Sequence, residues 1–304
     1  EANVAKYSKY LNLSSMVMYG GVDSGPQRQR LIYGVDILVA TPGRLIDMMY
    51  QRVLHFDELE ILVLDEADKM LDMGFINDIE KIIDRLPSQR QSLLFSATLT
   101  EEVRFLADTV NEDAGKISVP LSSATTPKIN QWLITVDKDK KSALLSHLIK
   151  QQQWDRALIF IDKKHAAAKL VSQLEKRGII AEAIHGGRSQ AVRERILADF
   201  KSGELKFLVA TGIASRGIDI ENMTRVVNYD LPYDSDDYIH RIGRTGRAGA
   251  SGEAISFVSN DNFKNLCAIE SRLGHIITRK EIEGFEVKKV VPVSILNFVP
   301  KHKR

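Results

Sequence analysis

Short apolar, β-branched runs recur along the chain and alternate with segments whose apolar residues repeat at helical spacing. The runs predict strands at residues 16–19, 37–40, 61–64, 92–96, 117–119, 132–136, 157–161, 180–184, 207–210, 225–229 and 254–258. Between them, residues 76–86 and 192–200 are apolar on one helical face. Strands that alternate with helices form parallel sheets covered on both faces, so the pattern predicts an α/β fold.

The length and one polar segment predict two domains. At roughly 150 residues per domain, 304 residues suffice for two cores. The segment between Pro120 and Pro127 lacks periodicity and predicts an interdomain linker. We therefore expect a first doubly wound parallel-sheet domain at 1–120, a linker at 121–127, a second such domain at 128–283 and a tail at 284–304.

The composition is that of an ordinary folded protein, with 44% hydrophobic and 27% charged residues. A net charge of +2 is far from the basic balance that by itself indicates a nucleic-acid partner, so such a partner must be argued from local clusters. The single cysteine, Cys267, excludes an intrachain disulfide and predicts a buried thiol and a reducing, cytoplasmic location. Neither a run of 18 apolar residues nor a secretory signal is present in these residues.

An acidic motif, Asp65-Glu66-Ala67-Asp68, directly follows the predicted strand 61–64. In open α/β sheets, ligands bind beyond the carboxyl ends of strands. An aspartate there can hold Mg²⁺ on nucleotide phosphates, and a neighbouring glutamate can orient an attacking water. The alternative is a solvated turn with a helix-capping aspartate, and the motif alone does not decide between them.

An arginine block, His240 to Arg247, places Arg241, Arg244 and Arg247 three residues apart among glycines, without Asp or Glu between Tyr238 and Gly252. Guanidinium groups fork onto phosphate oxygens, so this composition favours a phosphate clamp or an arginine finger. The alternative is a helix end whose arginines pair with distant acids. Glycine so dense at a helix end indicates close backbone approach and favours the first interpretation.

A further motif, Thr41-Pro42-Gly43-Arg44, follows the predicted strand 37–40. Proline suits the first turn of a helix, and the free amides of that turn suit an anion. Taken alone, the motif predicts no more than a good helix start.

Several motifs stand in the same order as in a known family. Beside residues 65–68 they are Gly20-Gly21, Thr41-Pro42-Gly43-Arg44, Ser96-Ala97-Thr98, Leu158-Ile159-Phe160, Gln190 with Arg193, the segment from Ala210 to Ile220 and the block from His240 to Arg247. With them the chain resembles, over nearly its whole length, the DEAD-box helicases of superfamily two, and among these the bacterial RhlE-like group. The resemblance implies two RecA-like domains and an ATP-dependent RNA helicase that separates short duplexes.

The resemblance implies ATP and Mg²⁺ as cofactors. Asp65 would hold Mg²⁺ through water, and Glu66 would position the hydrolytic water. Arg244 and Arg247 would reach the γ-phosphate from the second domain, a type of contact worth roughly 10³ to 10⁵ in rate. The implied nucleotide-binding residues are Gly217, Asp219, Arg244 and Arg247, with Asp219 on the ribose.

The resemblance also implies a coupling group and an RNA-binding surface. Asp68 would couple nucleotide state to domain closure through Ser96, Thr98 and His240. RNA would touch backbone amides, helix N-termini and a few arginines, which gives affinity without base readout. The implied RNA-binding residues are Gly20, Gly21, Thr41, Pro42, Gly43, Arg44, His185, Gly186, Gln190, Arg193, Thr211 and Gly212. Implied protein partners act in ribosome assembly or RNA decay, and no membrane is implied.

Two positions depart from the family pattern. Gly212 stands where the family commonly carries aspartate, and Gly187 replaces the polar residue that often follows His-Gly. A backbone contact to RNA can survive either change, whereas a contact made by the side chain is lost.

A nucleotide-hydrolysing domain of this kind needs a phosphate loop, Gly-x-x-x-x-Gly-Lys-Ser/Thr. Gly20 and Gly25 have the glycine spacing but Pro26 follows, and Gly115-Lys116 is followed by Ile117. We therefore expect an N-terminally truncated chain with an incomplete first domain, unable to hydrolyse ATP alone. The alternative function is a non-enzymatic RNA-binding or annealing module.

Overall fold

A computed structural model of the chain describes residues 1–111, 115–118, 129–212, 220, 223–246 and 252–296. The chain divides into two compact units, Glu1–Pro120 and Leu121–Arg304. The predicted linker at 121–127 and the end of the predicted tail, 297–304, lie outside the described residues. The assignment of a linker and tail therefore stays a prediction.

The first unit contains two separate parallel sheets of two strands each. Its described strands are β1 (Ser15–Met18), β2 (Ile37–Ala40), β3 (Ile61–Leu64) and β4 (Gln91–Leu94). Its described helices are α1 (Ala2–Tyr7), α2 (Ser24–Ile32), α3 (Pro42–Tyr50), α4 (Ala67–Asp72), α5 (Ile76–Ile83) and α6 (Glu101–Val110). β1 pairs with β2, and β3 pairs with β4.

Helices cover each of these small sheets on one face. Met16 and Met18 of β1 are buried with Leu31 and Met48, which belong to α2 and α3. The residues of β3 alternate between half-buried and exposed, and Ile61 and Val63 are 55% and 51% exposed. The two sheets pack into separate buried clusters, and the apolar side chains on their other faces are exposed.

The second unit is built on one parallel sheet of seven strands in the order β11-β5-β10-β9-β6-β8-β7. The strands are β5 (Ile129–Thr135), β6 (Ala157–Ile161), β7 (Ala181–Ile184), β8 (Phe207–Thr211), β9 (Arg225–Asn228), β10 (Gly252–Val258) and β11 (Thr278–Lys280). The described helices are α7 (Lys141–Gln151), α8 (Lys164–Glu175), α9 (Gln190–Ser202), α10 (Ser235–Ile242) and α11 (Phe263–Leu273), with a 3-10 helix at Asn260–Asn262.

Strand order places helices on both faces of the larger sheet. The connections through α7 and α8 run one way along the sheet, and those through α9, α10 and α11 run back, so right-handed crossovers put the two sets on opposite faces. The buried clusters agree, since α7 and α8 share one cluster and α9, α10 and α11 contribute to two others. The α/β prediction with parallel sheets is confirmed, and so is the buried thiol of Cys267.

One predicted strand was wrong, and one strand was missed. The predicted strand 117–119 is not a strand at 117 and 118, where Ile117 is 94% exposed, and Val119 lies outside the described residues. Strand preference reflects packing against a pleated sheet, so an apolar residue that packs against no sheet is not stabilised as a strand. The missed strand, β11, reads Thr-Arg-Lys and therefore carries no hydrophobic pattern, yet it pairs with β5 at the sheet edge.

Among the helices of the described residues, none is long and apolar enough to cross a membrane.

We predict that the backbone amides of β3 and β4 exchange with solvent faster than those of β6 and β8. The first pair forms a two-stranded sheet with an exposed face, whereas β6 lies inside a seven-stranded sheet with all five residues buried. Hydrogen exchange followed by mass spectrometry compares both regions in one sample. Equal protection of the two pairs would contradict this account of the first unit.

Candidate active site and nucleic-acid interface

The acidic motif lies in a strained turn at the carboxyl end of β3. Glu66 precedes α4 and has φ 54° and ψ 46°, a left-handed conformation that non-glycine residues adopt rarely. Its amide donates a hydrogen bond to Asp65 Oδ1 at 2.9 Å. Such strain costs about 1–3 kcal/mol and clusters at functional sites. Glu66, and not an aspartate, is the N-cap of α4 and makes no side-chain cap bond, whereas the exposure of Asp65 and Glu66 fits the other part of that alternative, a solvated turn.

The Glu66 carboxylate pairs with a lysine that sequence reasoning missed. Lys69 Nζ lies 2.6 Å from Glu66 Oε1, and the Glu66 side chain stays 49% exposed. Lys69 itself is buried in the first turn of α4. The i, i+3 spacing of opposite charges on a helix was the available signal. The pair directs one carboxylate oxygen toward α4 and leaves the group open to solvent.

Asp68 ties the acidic turn to the loop that follows β4. Its Oδ2 accepts hydrogen bonds from Thr98 N at 3.0 Å and Thr98 Oγ1 at 3.1 Å. Burial alone would raise the pKa of Asp68, but hydrogen bonds from Thr98, the Lys69 amide and Ser96 outweigh it and hold the pKa below its usual value. The structure thus brings Asp68, Ser96 and Thr98 together because Leu64 and Leu94 are paired neighbours. Their role in coupling stays a prediction.

The two glycine-containing motifs of the first unit meet at one sheet edge. Thr41 N donates to Met18 O at 3.0 Å, so the loop after β1, with Gly20 and Gly21, lies beside the start of α3. As the motif predicts, α3 begins with Pro42 in its first turn, after Thr41 as N-cap, and Gly43 follows. Gly20, Gly21 and Gly43 are exposed, and a Cβ added at Gly20 or Gly43 would meet open space.

Arg44 is engaged inside the protein. Its Nη2 donates to Val22 O at 2.8 Å and its Nη1 to Gln27 Oε1 at 3.1 Å. Only 9% of the side chain is exposed. Its guanidinium therefore joins α3 to the loop after β1, a structural contact that sequence reasoning did not foresee.

In the second unit, the predicted RNA-binding residues lie at the carboxyl ends of β7 and β8, which are paired neighbours. His185 and Gly186 follow β7, Gln190 and Arg193 lie in the first turn of α9, Thr211 ends β8, and Gly212 follows it. Arg193 Nη1 donates to Gln190 Oε1 at 3.1 Å. These six residues are therefore brought to one edge by strand order.

Gly212 packs closely against the helix that carries the arginine block. A Cβ at this position would lie 3.4 Å from Arg241 Nη2 and 4.0 Å from Asp237 Oδ2. A side chain there fits without backbone strain but would contact two charged groups of opposite sign. The glycine thus leaves unfilled a space that a side chain beside Arg241 and Asp237 could occupy.

The arginine block divides into buried and more accessible members. Arg241 is buried, donates from Nη1 to Asp230 O at 2.9 Å and lies 5.2 Å from the Phe160 ring. It therefore stabilises α10 and does not form part of an open phosphate clamp. His240 and Arg244 are half-buried on the last turn of α10 and just after it. Arg247, Gly217 and Asp219 lie outside the described residues.

A buried lysine at the same edge gave no sequence signal. The Lys141 side chain is 2% exposed, and its Nζ lies 3.0 Å from Asp230 Oδ1 and donates to Tyr229 O at 2.7 Å. Asp230 Oδ2 in turn accepts from Asp162 N at 3.2 Å. Burial lowers the pKa of Lys141 and raises that of Asp162, while the paired charges partly offset the first shift. This network joins α7 to β6 and β9.

The described residues contain no group of three or more His, Cys, Asp or Glu able to hold a metal ion. Mg²⁺ on nucleotide phosphates does not require such a group, because it keeps several waters and uses one or two carboxylates. Asp65 is exposed at the carboxyl end of β3 and fits that requirement.

Comparisons with known proteins identify the family of the chain. The family model for the DEAD/DEAH box helicase matches residues 1–106, and the model for the helicase conserved C-terminal domain matches residues 139–249. The ATP-dependent RNA helicase RhlB of Pseudomonas syringae is 40% identical over 279 residues, 91% of this chain and 70% of the relative. The chain belongs to the DEAD-box ATP-dependent RNA helicase family.

A second relative and a solved structure also match most of this chain. The ATP-dependent RNA helicase CshA of Listeria monocytogenes is 42% identical over 87% of this chain and 50% of its own length. Among solved structures, Saccharomyces cerevisiae Dbp5 bound to RNA and ADP BeF3 has a TM-score of 0.82 and 32% identity, covering 91% of this chain and 73% of that one. The domains are thus RecA-like. The chain spans about half the length of CshA, and its assignment to the RhlE-like group stays a prediction.

We predict that Thr98→Val destabilises the first unit at neutral pH by about 1.5–3 kcal/mol, the usual worth of a hydrogen bond to a charged group. The lowered pKa of Asp68 makes its stabilisation complete above the usual aspartate value of about 3.9. The difference between wild type and variant should shrink as the pH falls through the lowered pKa. Urea unfolding from pH 7 to pH 2 measures it, and a difference independent of pH would contradict the assignment.

Proposed function

We propose that this chain provides the water-positioning, coupling and RNA-binding parts of an ATP-dependent RNA helicase. One observation carries the proposal: Asp65 and Glu66 stand exposed at a strand end while Asp68, three residues on, is locked to Thr98. The turn therefore leaves two carboxylates exposed to solvent, where they can act on a nucleotide, and joins the third carboxylate to the loop that follows β4. The predicted domains at 1–120 and 128–283, joined by the linker 121–127, are part of the proposal.

On the nucleotide side, the residues fit a water-activation role. Asp65 would hold Mg²⁺ through water, which supplies charge neutralisation for the phosphates when bound. Glu66, with its backbone preset in the left-handed region, would orient the hydrolytic water. Arg244 and Arg247 would contribute cations from the second domain, with Gly217 and Asp219 at the ribose.

On the RNA side, the proposed surface consists of loop backbones and helix starts at the carboxyl ends of strands. Exposed glycine backbone at Gly20, Gly21, Gly43 and Gly186 suits contact with phosphate and sugar, which carry no base sequence. The solved relative Dbp5 is bound to RNA, which supports RNA as the polymer. We therefore propose binding that does not depend on RNA sequence.

The 304 residues contain no phosphate loop, so the chain by itself lacks the lysine and amides that neutralise a triphosphate. This observation favours a second candidate function for the chain alone: RNA binding without hydrolysis. The seven-stranded sheet of the second unit supports it, because the predicted RNA residues there need nothing from the first unit to be held in place.

We predict that the purified chain binds short single-stranded RNA with similar affinity for different sequences and shows no RNA-stimulated ATPase. Fluorescence anisotropy with two labelled oligonucleotides and a phosphate-release assay measure the two properties. ATP turnover that survives repurification would contradict the proposed inactivity. Absence of RNA binding would contradict the proposed RNA surface.

We predict that in a form of the protein that carries a phosphate loop, Glu66→Gln keeps ATP and RNA binding while hydrolysis collapses. Removal of a water-positioning group costs roughly 10²–10⁴ in rate, and the amide keeps the size and the backbone turn. The matched control is Asp57→Asn, an equal loss of one carboxylate in an exposed turn before β3. Near-normal turnover of the Glu66 variant would remove Glu66 from this role.

A further inference from the structure

A cavity of about 570 Å³ lies on the face of the second unit that α7 and α8 cover. Three parts of the chain form its walls. His147 and Lys150 belong to α7, Arg177 lies in the turn after α8, and Phe285 lies in the segment after β11. Lys150 is exposed and the other three are half-buried, so the cavity is open to solvent. Ligand pockets in proteins commonly measure roughly 300–1,000 Å³, and this cavity falls in that range.

The wall formed by Phe285 is defined by contacts on both sides of that residue. The Phe285 ring packs against the buried cluster of α7 and α8, and its centroid lies 5.4 Å from that of the His147 ring. Gly284 N donates to Glu286 Oε1 at 3.0 Å, and Lys140 Nζ donates to Glu286 O at 3.4 Å. The segment after β11 is therefore tied to α7, and the cavity is part of the folded unit.

The cations at the cavity have no carboxylate partner in the described part of the chain. Neither Lys150 nor Arg177 forms an ion pair there. Arg177 Nη1 donates to Gln173 O at 3.0 Å, which holds the guanidinium beside the end of α8. Glu283 and Glu286, on either side of Phe285, are exposed and do not line the cavity. The cavity therefore presents positive charge next to two aromatic rings.

The cations lie away from the candidate RNA-binding residues of the second unit. In a parallel sheet, each helix runs back from the carboxyl end of one strand to the amino end of the next. Lys150 lies in the last turn of α7, and Arg177 follows the end of α8, so both lie near the amino ends of the strands. A ligand in the cavity would therefore leave the carboxyl ends of β7 and β8 accessible.

We propose that this cavity docks an acidic peptide segment of a partner protein. Carboxylates of the segment would pair with Lys150 and Arg177, and an apolar side chain would pack against His147 and Phe285. The opening to solvent suits a segment that continues across the surface better than an enclosed small molecule. Single-stranded nucleic acid is a poorer occupant, because it needs a groove of cations that follows its backbone. The inference goes beyond the proposed function and does not depend on it.

The test selects peptides from a phage library of random dodecapeptides on the full 304-residue chain. Counter-selection uses the chain with Lys150→Glu and Arg177→Glu. We expect the enriched peptides to be rich in Asp and Glu and to carry at least one apolar side chain. Absence of enrichment, or enrichment of basic peptides alone, would overturn the proposal.

A matched pair of double variants separates the cavity from general charge. By fluorescence anisotropy, Lys150→Glu with Arg177→Glu should weaken binding of an enriched peptide about tenfold or more, because two attractive contacts become repulsive. The control, Lys169→Glu with Lys176→Glu, makes the same change in net charge at exposed lysines of α8 and its C-cap that do not line the cavity. It should bind within about twofold of wild type at physiological salt. Equal losses in the two double variants would refute the cavity as the binding site.

A third variant tests shape without changing charge. Ala143 lines the cavity and is half-buried, so Ala143→Phe should fill the cavity from α7 and abolish peptide binding. Circular dichroism checks that the variant is folded, and Ala143→Leu offers a smaller side chain if it is not. A folded, filled variant that keeps wild-type affinity for the peptide would contradict the proposal.

Competition distinguishes a protein segment from RNA as the occupant. We expect an excess of oligouridine to leave the labelled peptide bound, because the candidate RNA residues lie at the other ends of the strands. Complete displacement of the peptide would make RNA the occupant of the cavity and overturn the proposal. A wild-type chain that binds the peptide but no RNA would contradict the proposed function alone.

Discussion

The parallel pairing of neighbouring strands is the constraint on which the rest of this structure depends. Because paired strands run in the same direction, their carboxyl ends lie at one edge, and the loops that follow them meet there. The central strands β6 and β8 are buried on both faces, so polar chemistry has no place along their length. The candidate functional side chains lie at this edge for this reason.

Cations near the strand ends also stabilise the protein itself. Arg241 and Lys141 both bind the segment around Asp230, and Arg44 binds the loop after β1. Each of these cations is largely buried and donates hydrogen bonds to protein oxygens. Residue type alone therefore does not separate a cation that binds a ligand from one that positions a loop. Burial and the identity of the hydrogen-bond partner make that distinction.

The two units differ in how their sheets are covered, and this difference bears on function. The second unit has helices on both faces of seven strands. The first unit has two small sheets with apolar residues exposed, yet it keeps the hydrogen bond network from Asp68 to Thr98. That network depends on a single strand pair, β3 with β4, and survives without a larger core.

Much of the fold was predictable because the strands of a covered parallel sheet are continuous apolar runs. The run at 61–64 and the motif after it predicted both β3 and the acidic turn. The apolar run at 117–119 gave a wrong prediction, because a hydrophobic segment does not always find a strand to pair with. The strand β11 was missed, because an edge strand of Thr-Arg-Lys needs no apolar side chains. Strand order cannot be read from periodicity, which reports only which face of an element is buried.

By itself, the sequence determined the family, the element types and the candidate residues, since these depend on local composition and on motif order. Tertiary structure decided which of those residues remain available. Glu66 lies in a left-handed turn and pairs with Lys69. Arg241 is buried and donates to Asp230 O, and the Gly187 amide fixes the tautomer of His185. These outcomes depend on atoms brought together by strand pairing, packing and backbone geometry, so they cannot be predicted from local composition.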